Sequence, residues 1–134
     1  MAVRTIVVDG YNLIGWSAGV RVSRLESDRQ RLVARLARYV DARGHRVTVV
    51  FDGAGAGGRT PSRTRPGLTV AYSPVGTKAD AVIVEEARRL NGECVVVTDD
   101  RALAMHCERH DAIVLSCEAF VRRMDAAARP EPER

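Results

Sequence analysis

A chain of 134 residues, 46% of them hydrophobic, fits one domain with a core of its own and leaves no room for a second lobe. No run reaches the roughly 18 apolar residues of a membrane span, and the start, MAVRTIVVDG, enters a strand pattern instead of a signal-peptide core, so a cytoplasmic protein is expected. The formal charge of +4 leans toward polyanionic partners, and because Lys78 is the only lysine, nearly all the positive charge is arginine, which forks onto phosphate oxygens and stacks on bases.

Thr5-Ile6-Val7-Val8 is a continuous apolar, β-rich run that ends in Asp9-Gly10, the pattern of a strand buried on both faces of a parallel sheet. Ser23-x-x-Glu26 forms a capping box, and Leu25, Leu32, Val33, Leu36, Ala37 and Val40 then recur at helical spacing until Gly44. Val47 to Phe51 gives a second strand, closing on Asp52-Gly53 in the same way as the first. From Gly53 to Gly67 the chain is rich in glycine and arginine and carries Pro61 and Pro66, which predicts a mobile loop. Leu68 to Tyr72 is a third strand. Thr77-x-x-Asp80 caps a helix whose core face is Ala79, Val82, Ile83, Ala87 and Leu90, with Gly92 as its stop. Cys94 to Val97 forms a fourth strand ending at Thr98-Asp99-Asp100, and a short helix follows through Leu103 and Ala104. Ala112 to Leu115 is the fifth strand. Ser116 caps the last helix, with Leu115 placed to staple onto Phe120, and from Ala126 the composition decays into Pro, Glu and Arg. These elements predict an α/β domain over residues 1–124, a disordered tail over 125–134, and a mostly parallel five-stranded sheet with helices on both faces.

Cys94, Cys107 and Cys117 are odd in number and contain no CxxC pair, so they suggest neither a disulfide framework nor structural zinc and are expected as buried thiols. His106 and His110 flank Cys107 but have no second ligand pair at a finger-like spacing, which favours an exposed helix end.

Asp9, Asp52 and the Asp99-Asp100 pair each follow the last apolar residue of a strand, and a parallel sheet carries such positions to one edge, where α/β sheets bind ligands. Asp80, in the first turn of the helix after strand three, reaches the same edge and favours the positive end of the helix dipole. Clustered carboxylates repel unless cations neutralise them, and hard oxygen ligands select Mg²⁺ or Mn²⁺ over zinc. Taken singly, each aspartate also has an ordinary reading, as turn chemistry in Asp-Gly or as a helix cap at Asp80 or Asp99.

Two glycine motifs are weaker than they look. The run Gly53 to Thr60 matches a phosphate-loop pattern with arginine in the lysine position, and Gly53-x-Gly55-x-x-Gly58 fits the dinucleotide fingerprint, but no helix follows to aim its N-terminus at phosphate. A loop whose Arg59, Arg63 and Arg65 grip an RNA backbone is the simpler functional reading, and a solvated loop is the ordinary one. Tyr11 and Trp16 lie just past strand one and could stack on bases; Tyr11 could equally pack in the core.

The segments Val-Val-Asp9-Gly10-Tyr11-Asn12, Val-Val-Phe-Asp52, Thr77-x-Ala79-Asp80 and Val-Val-Thr98-Asp99-Asp100-Arg101 together resemble the YacP-like NYN domain, a branch of the PIN-like nucleases, over nearly the whole chain. The resemblance implies a three-layer α/β/α sandwich and a Mg²⁺- or Mn²⁺-dependent endoribonuclease, associated in some relatives with translating ribosomes. On that basis Asp9 is the central metal ligand, Asn12 orients the site or substrate, and Asp80 and Asp100 are further acidic members. Asp52 and Asp99 complete the candidate metal set, and Arg101 and Lys78 join Tyr11 and the loop arginines as RNA contacts. Ala81, Val84 and Asp99 depart from the family pattern, which places an acid, a glutamate and a serine there. Two alternatives stand beside the nuclease: an RNA- or ribosome-binding module of the same fold that no longer cuts, and a nucleotide-binding protein using the glycine-rich loop.

Overall fold

In a computed structural model that describes residues 4–18, 26–53 and 62–128, the chain runs β1 (Thr5–Asp9), α1 (Gly10–Ala18), α2 (Glu26–Arg43), β2 (Arg46–Phe51), β3 (Ser62–Arg65), β4 (Leu68–Tyr72), α3 (Ala79–Leu90), β5 (Cys94–Val97), α4 (Arg101–Glu108), β6 (Ile113–Leu115) and α5 (Cys117–Ala128). The strands form one six-stranded sheet in the order β3-β4-β2-β1-β5-β6. The pairings β4-β2, β2-β1, β1-β5 and β5-β6 are parallel. The five strands expected from the apolar runs are therefore all present. The sixth, β3, is antiparallel to β4 and lies inside the segment read as a loop. Its residues, Ser-Arg-Thr-Arg, carry no apolar pattern because an edge strand has no inner neighbour to pack against, and its pairing depends on the turn at Pro66-Gly67, where Gly67 takes φ +88°.

Alternation along the central strands divides the core into two clusters. Ile6, Val8, Val47, Val49, Phe51, Leu68, Val70, Val95 and Val97 face α1, α2 and α5, while Val7, Val50, Ala71, Cys94 and Val96 face α3 and α4. The chain steps from β1 to β2 to β4 in one direction and then back across the sheet to β5. Right-handed crossovers therefore place the first helices on one face and α3 and α4 on the other. The result is the expected three-layer α/β/α sandwich. Cys94, Cys107 and Cys117 are all buried in it as free thiols. No helix of the described residues is long and apolar enough to cross a membrane.

Several local expectations shift. Helix α1 has no counterpart in the sequence reading, because β1 passes into it at Gly10 with no intervening loop or capping residue. Ser23, the expected cap of α2, lies outside the described residues, and the described part of α2 begins at Glu26. Thr77 does not cap α3: Lys78 occupies that position with extended backbone and no side-chain cap, while the Thr77 carbonyl accepts the Ser73 hydroxyl at 2.7 Å. Ser116 does cap α5, its hydroxyl accepting from the Ala119 amide at 3.1 Å. That helix continues to Ala128, past the expected domain end at 124, because Met124 is buried against the core and Asp125 pairs with Arg35 on α2 at 3.0 Å.

The glycines of the two Asp-Gly pairs serve close approach instead of turn chemistry, since neither has positive φ. A Cβ on Gly10 would meet the Phe51 ring at 2.4 Å, and one on Gly53 would sit 1.7 Å from the Ser73 carbonyl oxygen. Gly53 also donates its amide to the Ser73 hydroxyl at 2.9 Å, which clamps the ends of β2 and β4 together. Gly53→Ala is expected to lower the urea midpoint, at unchanged slope, by the equivalent of about 2–3 kcal/mol, and Gly10→Ala by somewhat less because a ring can shift where a carbonyl cannot. An unchanged midpoint for Gly53→Ala would show that the clamp is loose.

Candidate active site

Strand order reverses between β1 and β5, and the crevice beyond their carboxyl ends is where an open α/β sheet binds ligands. Register fixes what meets there: Val8 pairs with Val97, so Asp9 and Thr98 emerge side by side. Asp9 is only 9% exposed. The Thr98 hydroxyl donates to its Oδ2 at 3.0 Å, and the Asn12 backbone amide, in the first turn of α1, also donates to it. Even so, the Asp9 pKa is raised to about 6, first by burial and then by the facing carboxylates of Asp80 and Asp100. Asp80 is raised as well, by partial burial, by Asp100 and by Asp52, while the Lys78 ammonium works the other way. Asp9, Asp52, Asp80 and Asp100 thus share one electrostatic neighbourhood, as the strand-end reading expects.

Thr98 escaped that reading, although it is the joint of the site. Buried at 3% exposure, its hydroxyl donates to Asp9 and accepts from the Asp100 amide at 3.0 Å. Asp100 in turn caps α4, its Oδ1 accepting from the Leu103 amide at 3.1 Å. One hydroxyl therefore sets the spacing of two carboxylates. The signal for it was a polar threonine directly after the three consecutive valines of β5.

Asp99 and Asp100 part company. Asp99 turns toward α5, where its Oδ1 accepts from the Cys117 amide at 2.9 Å, and it is not among the carboxylates acting on Asp9 or Asp80. Asn12 faces the same way: its Oδ1 accepts from the Asp99 amide at 2.7 Å and from the Cys117 thiol at 3.2 Å. A ring of hydrogen bonds thus ties α1, the loop after β5 and the start of α5, and Asn12 acts on Asp9 through its backbone while its side chain anchors that loop. Burial, followed by the nearby Asp99 carboxylate, pushes the Cys117 thiol up to about 12, so it serves as a donor and not as a nucleophile.

The candidate RNA contacts divide as well. Tyr11 is buried, its ring 5.1 Å from that of Phe51 and its hydroxyl accepting from Arg29 at 3.0 Å, so the core reading holds and base stacking by Tyr11 does not. The immediate start of α1 is what turns it inward. Trp16, at 42% exposure, keeps a face toward solvent. Lys78 and Arg101 are exposed at the carboxyl edge, beside Asp80 and Asp100. Arg65 is not brought there: it lies opposite Leu68, at the start of β4, and pairs with Asp41 of α2. Arg59, the glycine run Gly55 to Gly58 and the side chain of Arg63 lie outside the described residues.

The donors at the edge are all carboxylates, the chemistry of a hard divalent ion. Among the described residues no three Asp, Glu, His or Cys side chains converge as a coordination group, so a cation would have to draw side chains around Asp9 inward. Burial and like charge both oppose the ionised cluster, and a cation relieves both. The donor set fits such an ion.

Comparison with known proteins agrees with this geometry. A family model described as the YacP-like NYN domain matches residues 6–133. The protein YacP of Bacillus subtilis (strain 168), itself described as uncharacterized, is 33% identical over 89 residues, which make up 64% of this chain and 52% of that one. The chain thus aligns with about half the length of that relative. Crystal structures of Rae1 (YacP) from Bacillus subtilis superpose with a TM-score of 0.78 for a tryptophan-to-leucine mutant, at 25% identity over 92% of this chain and 76% of that one. A second crystal structure gives 0.73, at 26% identity over 95% and 75%. The chain belongs to the YacP-like NYN domain family, a group of PIN-like, nuclease-type domains with RNA-related function.

Proposed function

We propose that this chain is a cytoplasmic, metal-dependent endoribonuclease that hydrolyses phosphodiester bonds of RNA, messages on the ribosome included. The observation that carries the reading is the buried Asp9 carboxylate at the sheet's reversal point, faced by Asp80 and Asp100. Asp9, Asp80 and Asp100 would hold Mg²⁺ or Mn²⁺, with Asp52 as a further ligand from the Asp80 side. A divalent ion at this place supplies Lewis-acid polarisation and neutralises charge that develops on phosphate.

The chain's own groups prepare the rest. Thr98 holds Asp9 and the Asp100 backbone at fixed spacing. The α4 cap fixes the Asp100 side chain, and Asp80 sits in the first turn of α3, where the helix dipole favours a negative charge. Lys78 and Arg101, at the rim, take phosphates flanking the scissile one, and Trp16 on α1 offers a ring to an unstacked base. The three thiols are buried, and water is the nucleophile of the proposed cleavage. Free buried thiols also suit a reducing compartment.

A second reading, a docking module for RNA or the ribosome that binds without cutting, draws on two positions of α3. Ala81 is exposed and Val84 packs against the second core cluster, so neither adds an acid next to Asp80. The two readings part on turnover. Purified protein with Mn²⁺ should cut RNA, and Asp9→Asn should reduce the rate on the order of 1,000-fold, the loss of several kcal/mol of charge stabilisation. Wild-type protein that leaves both free and ribosome-bound RNA intact would leave only the docking module.

Asp9 also makes a prediction about stability. Its folded pKa of about 6 lies above the ordinary 3.8, so the folded state binds the proton more tightly than the unfolded one. The ionised carboxylate then costs nothing below the ordinary value, a rising amount between the two, and its full amount above the folded pKa. Without metal at pH 7.5, Asp9→Asn should raise stability by up to about 3 kcal/mol, and the gain should vanish near pH 4. Chemical denaturation of both proteins across that range, in EDTA, checks the sign. For the same reason the wild-type affinity for Mn²⁺ should weaken as pH falls below about 6, roughly tenfold per unit, because proton and cation compete for Asp9. Calorimetric titration showing a flat pH dependence would remove Asp9 from the ligand set.

A further inference from the structure

The end of the sheet opposite the aspartates carries a cluster of arginines on the layer that α2 and α5 cover. Arg4 precedes β1, Arg43 closes α2 and Arg123 lies on α5, one turn beyond Phe120, whereas Arg46, which opens β2, lines a cleft with Glu86 and Arg89 of α3 on the other layer. Arg4, Arg43 and Arg123 are exposed, and among the described residues none of the three pairs with a carboxylate. Asp41, the acid nearest on α2, is taken by Arg65. His45 sits in their midst: its Nδ1 accepts from the Arg4 amide at 3.4 Å, and its ring lies 5.8 Å from that of Tyr39. Burial and then the charges of Arg4, Arg43 and Arg123 all lower the His45 pKa, so three guanidinium groups from distant parts of the chain act on one imidazole. Like charges gathered by the fold make a positive patch that attracts a polyanion.

We propose that this face is a second RNA contact, which binds the phosphate backbone of folded, base-paired RNA at the amino end of the sheet. The proposal rests on the ribonuclease reading for the choice of RNA as partner. It differs from that reading in place, since the five residues of β1 separate it from the Asp9 edge by about 16 Å. Single strands are bound by basic grooves that also offer aromatic faces for stacking. Here the one large ring, Tyr39, is buried, with its faces engaged by His45 and by Phe120 at 5.3 Å. What remains is an array of forked donors without an exposed ring to stack a base, which suits the regular phosphates of an A-form helix. A substrate with a paired stem could then rest on this face while its unpaired segment reaches the carboxylates.

The test uses the full chain in EDTA, so that binding is read without cleavage. Anisotropy of a short labelled RNA duplex and of an oligo(U) strand of equal length is followed across a salt series for wild type and for the triple variant Arg4→Ala, Arg43→Ala, Arg123→Ala. Thermal melts establish that the variant is folded, and in the wild type the His45 ring resonances are followed as duplex is added. The variant should lose at least about tenfold in duplex affinity and reduce the salt slope by roughly 2–3, with little change for oligo(U), and the His45 signals should shift. Unchanged duplex affinity, or silent His45 resonances in a bound complex, overturns the proposal. Equal loss for duplex and oligo(U) overturns the assignment to folded RNA and makes the face a general polyanion contact. Failure of the ribonuclease reading would look different: no cleavage of any RNA by wild type with Mn²⁺, while duplex binding still depends on the three arginines.

Discussion

A single threonine hydroxyl links the two acidic residues that meet where the halves of this sheet join. Thr98 stands where strand order reverses, and its one proton goes to Asp9 while its lone pair takes the Asp100 amide. A hydroxyl has one donor, so the direction of the bond is fixed: Asp9 accepts. That bond favours the ionised carboxylate, against the burial that opposes it. Position and charge of the whole acidic edge follow from it, because Asp100 both leans on Thr98 and caps α4, and Asp80 feels Asp100 more than it feels its own neighbour Lys78.

The same arrangement shows where the domain gives up stability. Most of the sheet is continuous valine and isoleucine, with Val7, Val8, Val49, Val50, Val96 and Val97 fully enclosed, and it tolerates no charge except at the strand ends. There, carboxylates gather in positions that an apolar residue would fill more favourably. Local rules of packing and charge are broken together at that edge, the pattern expected of a functional site; Arg29 on α2 is the other buried charged residue of the described core. The opposite end holds Arg4, Arg43 and Arg123 around His45, with Glu86 and Glu93 also at that end.

Much of this was legible in the sequence, for reasons that can be named. Buried parallel strands read as unbroken apolar runs, so β1, β2, β4, β5 and β6 stood out, and strand-end aspartates reach one edge whatever the strand order. Side-chain direction was not legible. Only the family resemblance favoured Asp100 over Asp99; the pair itself does not say which one turns toward Asp9, because that depends on where α5 presents its first amide. Tyr11 could have faced either way, and its inward turn depends on α1 starting at Gly10, a start hidden by the absence of a cap. Asp-Gly suggested turns where the structure has steric clearance, for Phe51 in one case and for the Ser73 carbonyl in the other. In the arginine-rich segment, β3 was masked because an edge strand needs only a partner's backbone.

The ring formed by Asn12, Asp99 and Cys117 closes only when the final helix is in place. Residue 12 belongs to the first tenth of the chain and residue 117 to its last stretch, so the loop that carries Thr98 and Asp100 is pinned from the far end of the sequence. Protein synthesis proceeds from the other end. A nascent chain that has emerged through α4 already contains Asp9, Asp52, Asp80 and Asp100 yet lacks the amide and thiol that hold their loop. The frame of the acidic edge is therefore complete only once α5 has been made, and a chain cut short before α5 would carry the aspartates without the frame that places them.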